Sequence, residues 1–307
     1  MTTDNSVHSP RHLLIGMGMV IVAALGFSSK GILIKLAYAL GVQVDPISVM
    51  AIRMSIALPF FLFFAIRQSR SNRQFYMASR DWADILLLGF IGYYLSSLLD
   101  FSGLAYISAS LERMILYLYP TIVVILTAIM GRRAMHRYEI LALIMAYAGM
   151  ALMFLNQQSL SNIDVWKGTS LVFASAVSFS IFLVMGQGVI KRLGPQRFTS
   201  YTMSVASLFT LVHYFTVHEV QQFTNLPFNF YMIGIFMALF CTVLPAYMMN
   251  EGIHRIGANR TALISSAGPV MTLVLAYFVL HELLTPLQLG GMAMIIASIY
   301  IVGKSHR

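Results

Sequence analysis

The segment "GLAYISASLERMILYLYP" at residues 103–120 is echoed 149 residues later by "GIHRIGANRTALISSAGP" at 252–269. Gly103 falls on Gly252, Ile107 on Ile256, Ala109 on Ala258 and Pro120 on Pro269. The register runs on without a gap through Leu126 on Leu275, Met145 on Met294 and Ala148 on Ala297. A further echo links "AALGFSS" (23–29) with "ASAVSFS" (174–180). Self-similarity at a fixed offset signals a duplicated structural unit. The two copies differ in one respect. Glu112 and Arg113 stand together at the head of an apolar run that reaches Met130 without another charge, whereas the second copy has Thr261 and Ala262 there. What both signs of charge do in such a run depends on the solvent around it.

Composition identifies that solvent. The chain has 307 residues, 58% hydrophobic and 10% charged, with mean hydropathy +0.77. Soluble domains carry about 25% charged residues, and a chain of this size still exposes much surface. So few charges cannot cover a water-facing surface, so the chain reads as a polytopic membrane protein in a lipid bilayer. Its net charge of +9 then marks membrane loops rather than a nucleic-acid partner. The lone cysteine, Cys241, excludes an internal disulfide and a CxxC metal site. The apolar run after Arg11 and His12 is long enough to span, so it reads as a retained helix rather than a cleaved signal.

A helix needs about 20 apolar residues to cross the hydrocarbon core. Ten candidate spans meet that length: 13–36, 46–66, 82–104, 107–130, 138–155, 167–189, 197–217, 229–250, 258–280 and 286–303. With the N-terminus inside, the inner segments collect 15 of the 20 basic residues, among them Arg67, Arg70, Arg132, Arg133, Lys191, Arg192 and Arg255. That bias predicts cytoplasmic termini, with tails at 1–12 and 304–307. Each copy then holds five spans, at 13–155 and 167–303, joined by a periplasmic linker at 156–166. Five is odd, so the second copy enters the membrane upside down. The expected fold is all-α: ten transmembrane helices as two inverted five-helix repeats. Inverted repeats characterise transporters whose site lies near the midplane, at the repeat interface.

Three features together carry a family resemblance: "GFSSKGILIK" in span 1, "DP…AIRMSIALP" in span 2, and the paired Gly-to-Pro segments already quoted. The chain resembles the drug/metabolite transporter superfamily, in its EamA-type members, over nearly its whole length. The resemblance implies a ten-helix inner-membrane carrier; many such proteins export amino acids or other small metabolites. Halves in that family often end their proline-bearing helix with a Gly-Glu pair. Here Glu282 follows His281, and Arg132 and Arg133 stand in the first half, so no role is carried over for that feature.

Counting along the spans places Lys30, Arg53, Asp100, Glu112 and Arg113 roughly 5–10 Å outward of the midplane. A charge facing lipid costs about 2.5–3.5 kcal/mol or more, so these five point inward. The second half lacks a matching set; Asn250 stands next to the register position of Asp100. Glu112 and Arg113 lie about 100° apart on a helix, which predicts separate partners. Three readings stay open. The charges form an ion-pair lock, such as Asp100–Arg53 or Glu112–Lys30. Alternatively Lys30, Arg53 and Arg113 bind a substrate carboxylate while an acid meets its amine. Or Asp100 and Glu112 couple transport to protons, since burial and a nearby cation pull a carboxyl in opposite directions.

Tyr117, four residues after Arg113, shares its helical face. Tyr94 joins it as a candidate substrate wall, with Tyr93, Phe101, Tyr106 and Tyr119 near. Any one of these aromatics also fits a packing or interfacial role. Pro120 and Pro269 are expected to kink spans 4 and 9, as packing elements or as hinges. Gln187, His213 and Tyr247 are weaker candidates. "GFSSKGI" has Ile32 where a phosphate loop needs Lys, and neither His-Glu pair has the second His of a zinc protease. No enzyme, cofactor or metal is expected, and no domain to hydrolyse a nucleotide. The expectation is a secondary carrier for small amphoteric metabolites such as amino acids. The alternatives are a lipophilic-drug efflux carrier and a non-transporting sensor or assembly partner on the same fold.

Overall fold

A computed structural model describes residues 10–40, 45–71, 77–107, 109–130, 137–154, 163–265, 267–268, 270–271, 274 and 286–304. All regular structure among them is helical. The principal helices are α1 (Pro10–Tyr38), α2 (Pro46–Ser71), α3 (Ser79–Leu104), α4 (Ala109–Leu116), α5 (Tyr119–Ile129), α6 (Arg137–Phe154), α7 (Ile163–Leu193), α8 (Pro195–Val217), α9 (Phe228–Ile256), α10 (Ala258–Ser265) and α11 (Pro286–Lys304).

Element boundaries repeat at the sequence offset. α2 and α8 both open on a proline, Pro46 and Pro195, which suits the first helical turn because its missing N–H is unneeded there. The starts of α3 and α9, of α4 and α10, and of α6 and α11 are also 149 residues apart. Both α3 and α9 contain a π-helical turn in the same register, Gly89–Leu95 and Leu239–Val243. Loosened carbonyls there accept hydroxyls: Ser178 Oγ donates to Ile91 O (2.7 Å) and Thr242 Oγ1 to Met237 O (2.9 Å).

Packing follows the same pairing. α1 lies on α9, and its counterpart α7 lies on α3, while α2 packs against α8 and α6 against α11. Gly103 and Gly252, matched in sequence, sit at the two equivalent crossings. A Cβ at Gly103 would stand 2.9 Å from the Gly168 carbonyl oxygen, and one at Gly252 would overlap Val20. Small residues here let backbones approach, which is how helices associate without a hydrophobic driving force.

Among the described residues, five helices are long and apolar enough to cross a membrane: Leu13–Tyr38, Pro46–Arg70, Ser79–Leu104, Asp164–Leu193 and Phe228–Ile256. Large apolar side chains such as Phe63, Ile129, Val212 and Phe228 are exposed on the outside, as expected of a surface solvated by lipid. α8 falls short on composition because it is rich in hydroxyls. Thr199, Ser200, Thr202, Ser204, Ser207 and Thr210 are buried, and each bonds the carbonyl four residues back. Satisfied within their own helix, they can be buried, and some of them also meet a neighbouring helix: Ser200 bonds Tyr247 and Thr199 accepts from Asn250. At one end of the bundle Arg192 of α7 bridges Asp81 (3.0 Å) and Asp84 (2.7 Å) of α3.

Span 4 is two helices. Tyr117 and Leu118 form a turn between α4 and α5, and Pro120 sits in the first turn of α5. Proline cannot donate back into the preceding turn, and Tyr147 of α6 bonds the carbonyls of Tyr117 (3.3 Å) and Leu118 (3.4 Å). Pro269, the matching expectation in the second half, lies outside the described residues.

The crossings generate a test. Gly103→Leu places a branched side chain against the Gly168 carbonyl, and overpacking of this kind costs about 1–3 kcal/mol. Purified in detergent, the variant loses its monodisperse form at lower temperature than wild type. Gly18→Leu, where a Cβ meets nothing within 4 Å, leaves the transition in place. Equal shifts in both variants count against the crossing.

Candidate functional site

Between the two halves lies a cavity of about 90 Å³. That is space for several waters or a compact ligand. The first half contributes Lys30, Arg53, Asp100, Arg113 and Tyr117 to its wall; the second contributes Ser175, Phe179, Cys241, Thr242 and Ser265. The charged side chains on the wall come from one half, while the other contributes hydroxyls, a thiol and apolar groups. Both π-helical turns reach it, through Gly92 and Tyr93 on α3 and Cys241 and Thr242 on α9.

All five charged residues meet here. Lys30 Nζ of α1 holds Asp100 Oδ2 of α3 at 2.5 Å. Glu112 Oε2 lies 3.1 Å from Arg113 Nε, and Arg113 Nη2 donates to the Phe27 carbonyl of α1 at 2.6 Å. Arg53 Nη2 of α2 donates to Ser97 Oγ at 3.2 Å. The buried Phe101 ring has Arg53 4.8 Å and Lys30 5.4 Å from its centre. Glu112 is fully buried and is not on the cavity wall; it backs Arg113, within reach of the Asp100 carboxyl.

The pairing corrects two expectations. Glu112 and Arg113 engage each other as well as separate partners, the Phe27 carbonyl for Arg113 and the Asp100 carboxyl for Glu112. Opposite them α1 presents Gly31, where a Cβ would stand 3.3 Å from both Arg113 Nη2 and Glu112 Oε2. With no side chain there, both long side chains fold under α1 and span the 100° between them. Lys30 takes Asp100, not Glu112, and Arg53 forms no ion pair with Asp100. The helix register that brings α1 beside α3 decides this, and spacing along one chain segment does not encode it.

Tyr117, at the break after α4, reaches Ser28 and Arg113 with its hydroxyl. Gly268 makes room for it: a Cβ at that position would overlap the Tyr117 hydroxyl. Tyr119 is also on the wall and points to the Ala262 carbonyl (3.4 Å). Tyr93 lines the cavity, whereas its neighbour Tyr94 turns away to His213 Nδ1 at 2.8 Å and packs on Phe90 and Phe209. Tyr106 bonds Lys167 (2.8 Å) and Tyr247 bonds Ser200 (2.7 Å), both away from the wall.

Phe27, Ser97, Phe179 and Cys241 line the cavity without having been singled out by sequence. A signal for this wall existed: the "AALGFSS"/"ASAVSFS" echo sets Ala24 opposite Ser175, and both are wall residues. A second cleft, about 500 Å³, lies 8–12 residues further along α7. Gln187, Lys191, His254, Arg255 and Asn259 line it, with Arg255 Nε on Glu251 at 2.6 Å.

Comparison with known proteins places this geometry. Residues 14–155 and 166–304 each match the model of the EamA-like transporter family. The chain is 29% identical over 292 residues to the uncharacterized transporter YcbK of Bacillus subtilis, covering 92% of this chain and 90% of that protein. It is 26% identical to the uncharacterized transporter YyaM of the same organism, covering 85% and 86%. An uncharacterized transporter of Archaeoglobus fulgidus is 25% identical, covering 85% and 90%. One protein crystal structure superposes with TM-score 0.76 at 15% identity over 95% of this chain and 96% of that one, which shows a shared fold.

The ion pair can be tested apart from any transport. Lys30→Met leaves Asp100 buried without its cation, at about 3–5 kcal/mol. Adding Asp100→Leu removes the stranded charge and restores most of that loss. Thermal denaturation in detergent reads both, and additive losses in the double variant would contradict the pairing.

Proposed function

The chain belongs to the EamA-like transporter family, and on that premise we propose that it is a ten-helix secondary carrier that exports small amphoteric metabolites such as amino acids. In this reading residues 13–155 and 167–303 are inverted five-helix repeats, 156–166 is a periplasmic linker, and both termini are cytoplasmic. The repeat-matched helix starts and the positive-inside bias support that arrangement. The substrate occupies the cavity between the halves, with Lys30, Arg53, Arg113 and Tyr117 as its contacts, and Asp100 and Glu112 as the groups that take up a proton. Tyr94 keeps only an indirect part, through Tyr93 and His213. The break ahead of Pro120 is the hinge of span 4, and Pro269 is assigned the same part in span 9.

One observation carries the reading. Charged side chains from four helices of one half converge on a cavity whose far wall belongs to the other half. A carrier that rocks one repeat against the other needs its ligand groups on that seam. A lipophilic-drug pump would not require four charged side chains on that wall. The ion pairs favour one other reading: Lys30–Asp100 and Glu112–Arg113 lock helices together and take no part in binding.

Counterflow in proteoliposomes tests the proposal. A carrier preloaded with an unlabelled amino acid from a mixed panel accumulates external label transiently and saturably. Arg113→Ala lowers that uptake about tenfold or more, in keeping with loss of a charge-assisted hydrogen bond. Absence of counterflow across the panel sinks the carrier reading, leaving a sensor or assembly role. Full activity in Arg113→Ala and Glu112→Gln supports the lock.

A further inference from the structure

Arg53 is the charged group on the cavity wall that the ion pairs leave over. Lys30 uses Asp100 and Arg113 uses Glu112. Among the described residues no carboxylate lies within ion-pair distance of Arg53, which is 4% exposed. Its guanidinium has one neutral hydroxyl donor–acceptor contact, to Ser97, and Nε lacks a protein partner. The Phe101 face beneath it offers weak attraction but no hydrogen bond. Three cations and two carboxylates leave this site with one formal positive charge in excess.

A buried, unpaired guanidinium is costly unless something completes it. Arg presents a planar fork that matches a carboxylate with two parallel hydrogen bonds. Resting on the carrier reading, we infer that Arg53 anchors the carboxylate of the substrate, and that the acid group, not the amine, is the obligatory recognition element. Of the two acids, Glu112 lies behind the wall, and Asp100 gives Oδ2 to Lys30 and keeps only Oδ1 without a hydrogen-bond partner, so the cations outnumber the acceptors left for an amine. Phe27, Tyr93, Tyr119 and Phe179 then face the apolar body of the substrate. The second cleft agrees in sign. Lys191 and Arg255 are on its lining, Arg255 paired with Glu251, and the lining carries no carboxylate, which favours anions over cations there. The ligand class is therefore a compact organic monocarboxylate, zwitterionic or not.

Four probes of matched size or charge test this on the full chain in detergent, in chloride-free sulfate buffer. They are phenylacetate, phenylacetamide, phenethylamine and chloride. Dissociation constants come from thermal shift, and from protection of Cys241, the single cysteine of the chain and a wall residue, against a small alkylating reagent. Phenylacetate is expected to bind about 10–100-fold more tightly than its amide or amine, the value of a charge-assisted hydrogen bond. Arg53→Gln removes that preference and Arg53→Lys keeps part of it. The inference is overturned if phenylacetamide binds as tightly as phenylacetate, or if Arg53→Gln leaves the preference intact. A response to chloride with none to phenylacetate also overturns it, making this an inorganic-anion site. The comparison within wild type needs no variant to fold. Counterflow is scored separately: charge-selective binding without flux supports Arg53 and removes the carrier reading.

Discussion

Holding three cations and two carboxylates away from water is the constraint around which the centre of this molecule is built. Each ion would lose several kcal/mol on leaving water. The remedy is mutual. Lys30 and Asp100 bring α1 to α3, and Arg113 ties the break of span 4 to the Phe27 carbonyl of α1. The Phe101 ring fills the space beneath two of the cations. Charge and helix packing are therefore one problem here: a shift of α1 along α3 would strand an ion.

Close helix crossings make that register rigid where it must be. Gly103 against Gly168, and Gly252 near Gly16, let the first helix of each half lie on the third helix of the other. The same crossings set the cavity on the seam, since its walls come from the segments that diverge beyond them. Against this rigid frame the π-helical turns and the break at Tyr117–Leu118 are the irregular elements, and each touches the cavity. Irregular backbone inside a membrane is tolerated where it borders a cavity or finds side-chain partners, and Ser178, Thr242 and Tyr147 serve as those partners.

Division of labour between the halves follows from the duplication. Four pairs of equivalent helices start 149 residues apart, yet Thr261 and Ala262 occupy the positions of Glu112 and Arg113. Shape has stayed symmetric while electrostatics has not. A symmetric frame supplies two equivalent crossings; a one-sided charge set supplies direction within the cavity, with an ionic wall facing a wall of hydroxyl, thiol and apolar groups.

Composition, hydropathy and the 149-residue echo determined by themselves the membrane class, the duplication and the five residues whose charge had to turn inward. These follow from solvent and periodicity, which act locally along the chain. Partner choice was decided only in three dimensions. Nothing in the spacing of Glu112 and Arg113 announces that Gly31, from another helix, opens the room in which they pair. Nor does adjacency tell that Tyr93 faces the cavity while Tyr94 faces His213. Which groups meet depends on the crossing point and rotation of packed helices, quantities set by contacts 70 and more residues apart, as between Lys30 and Asp100.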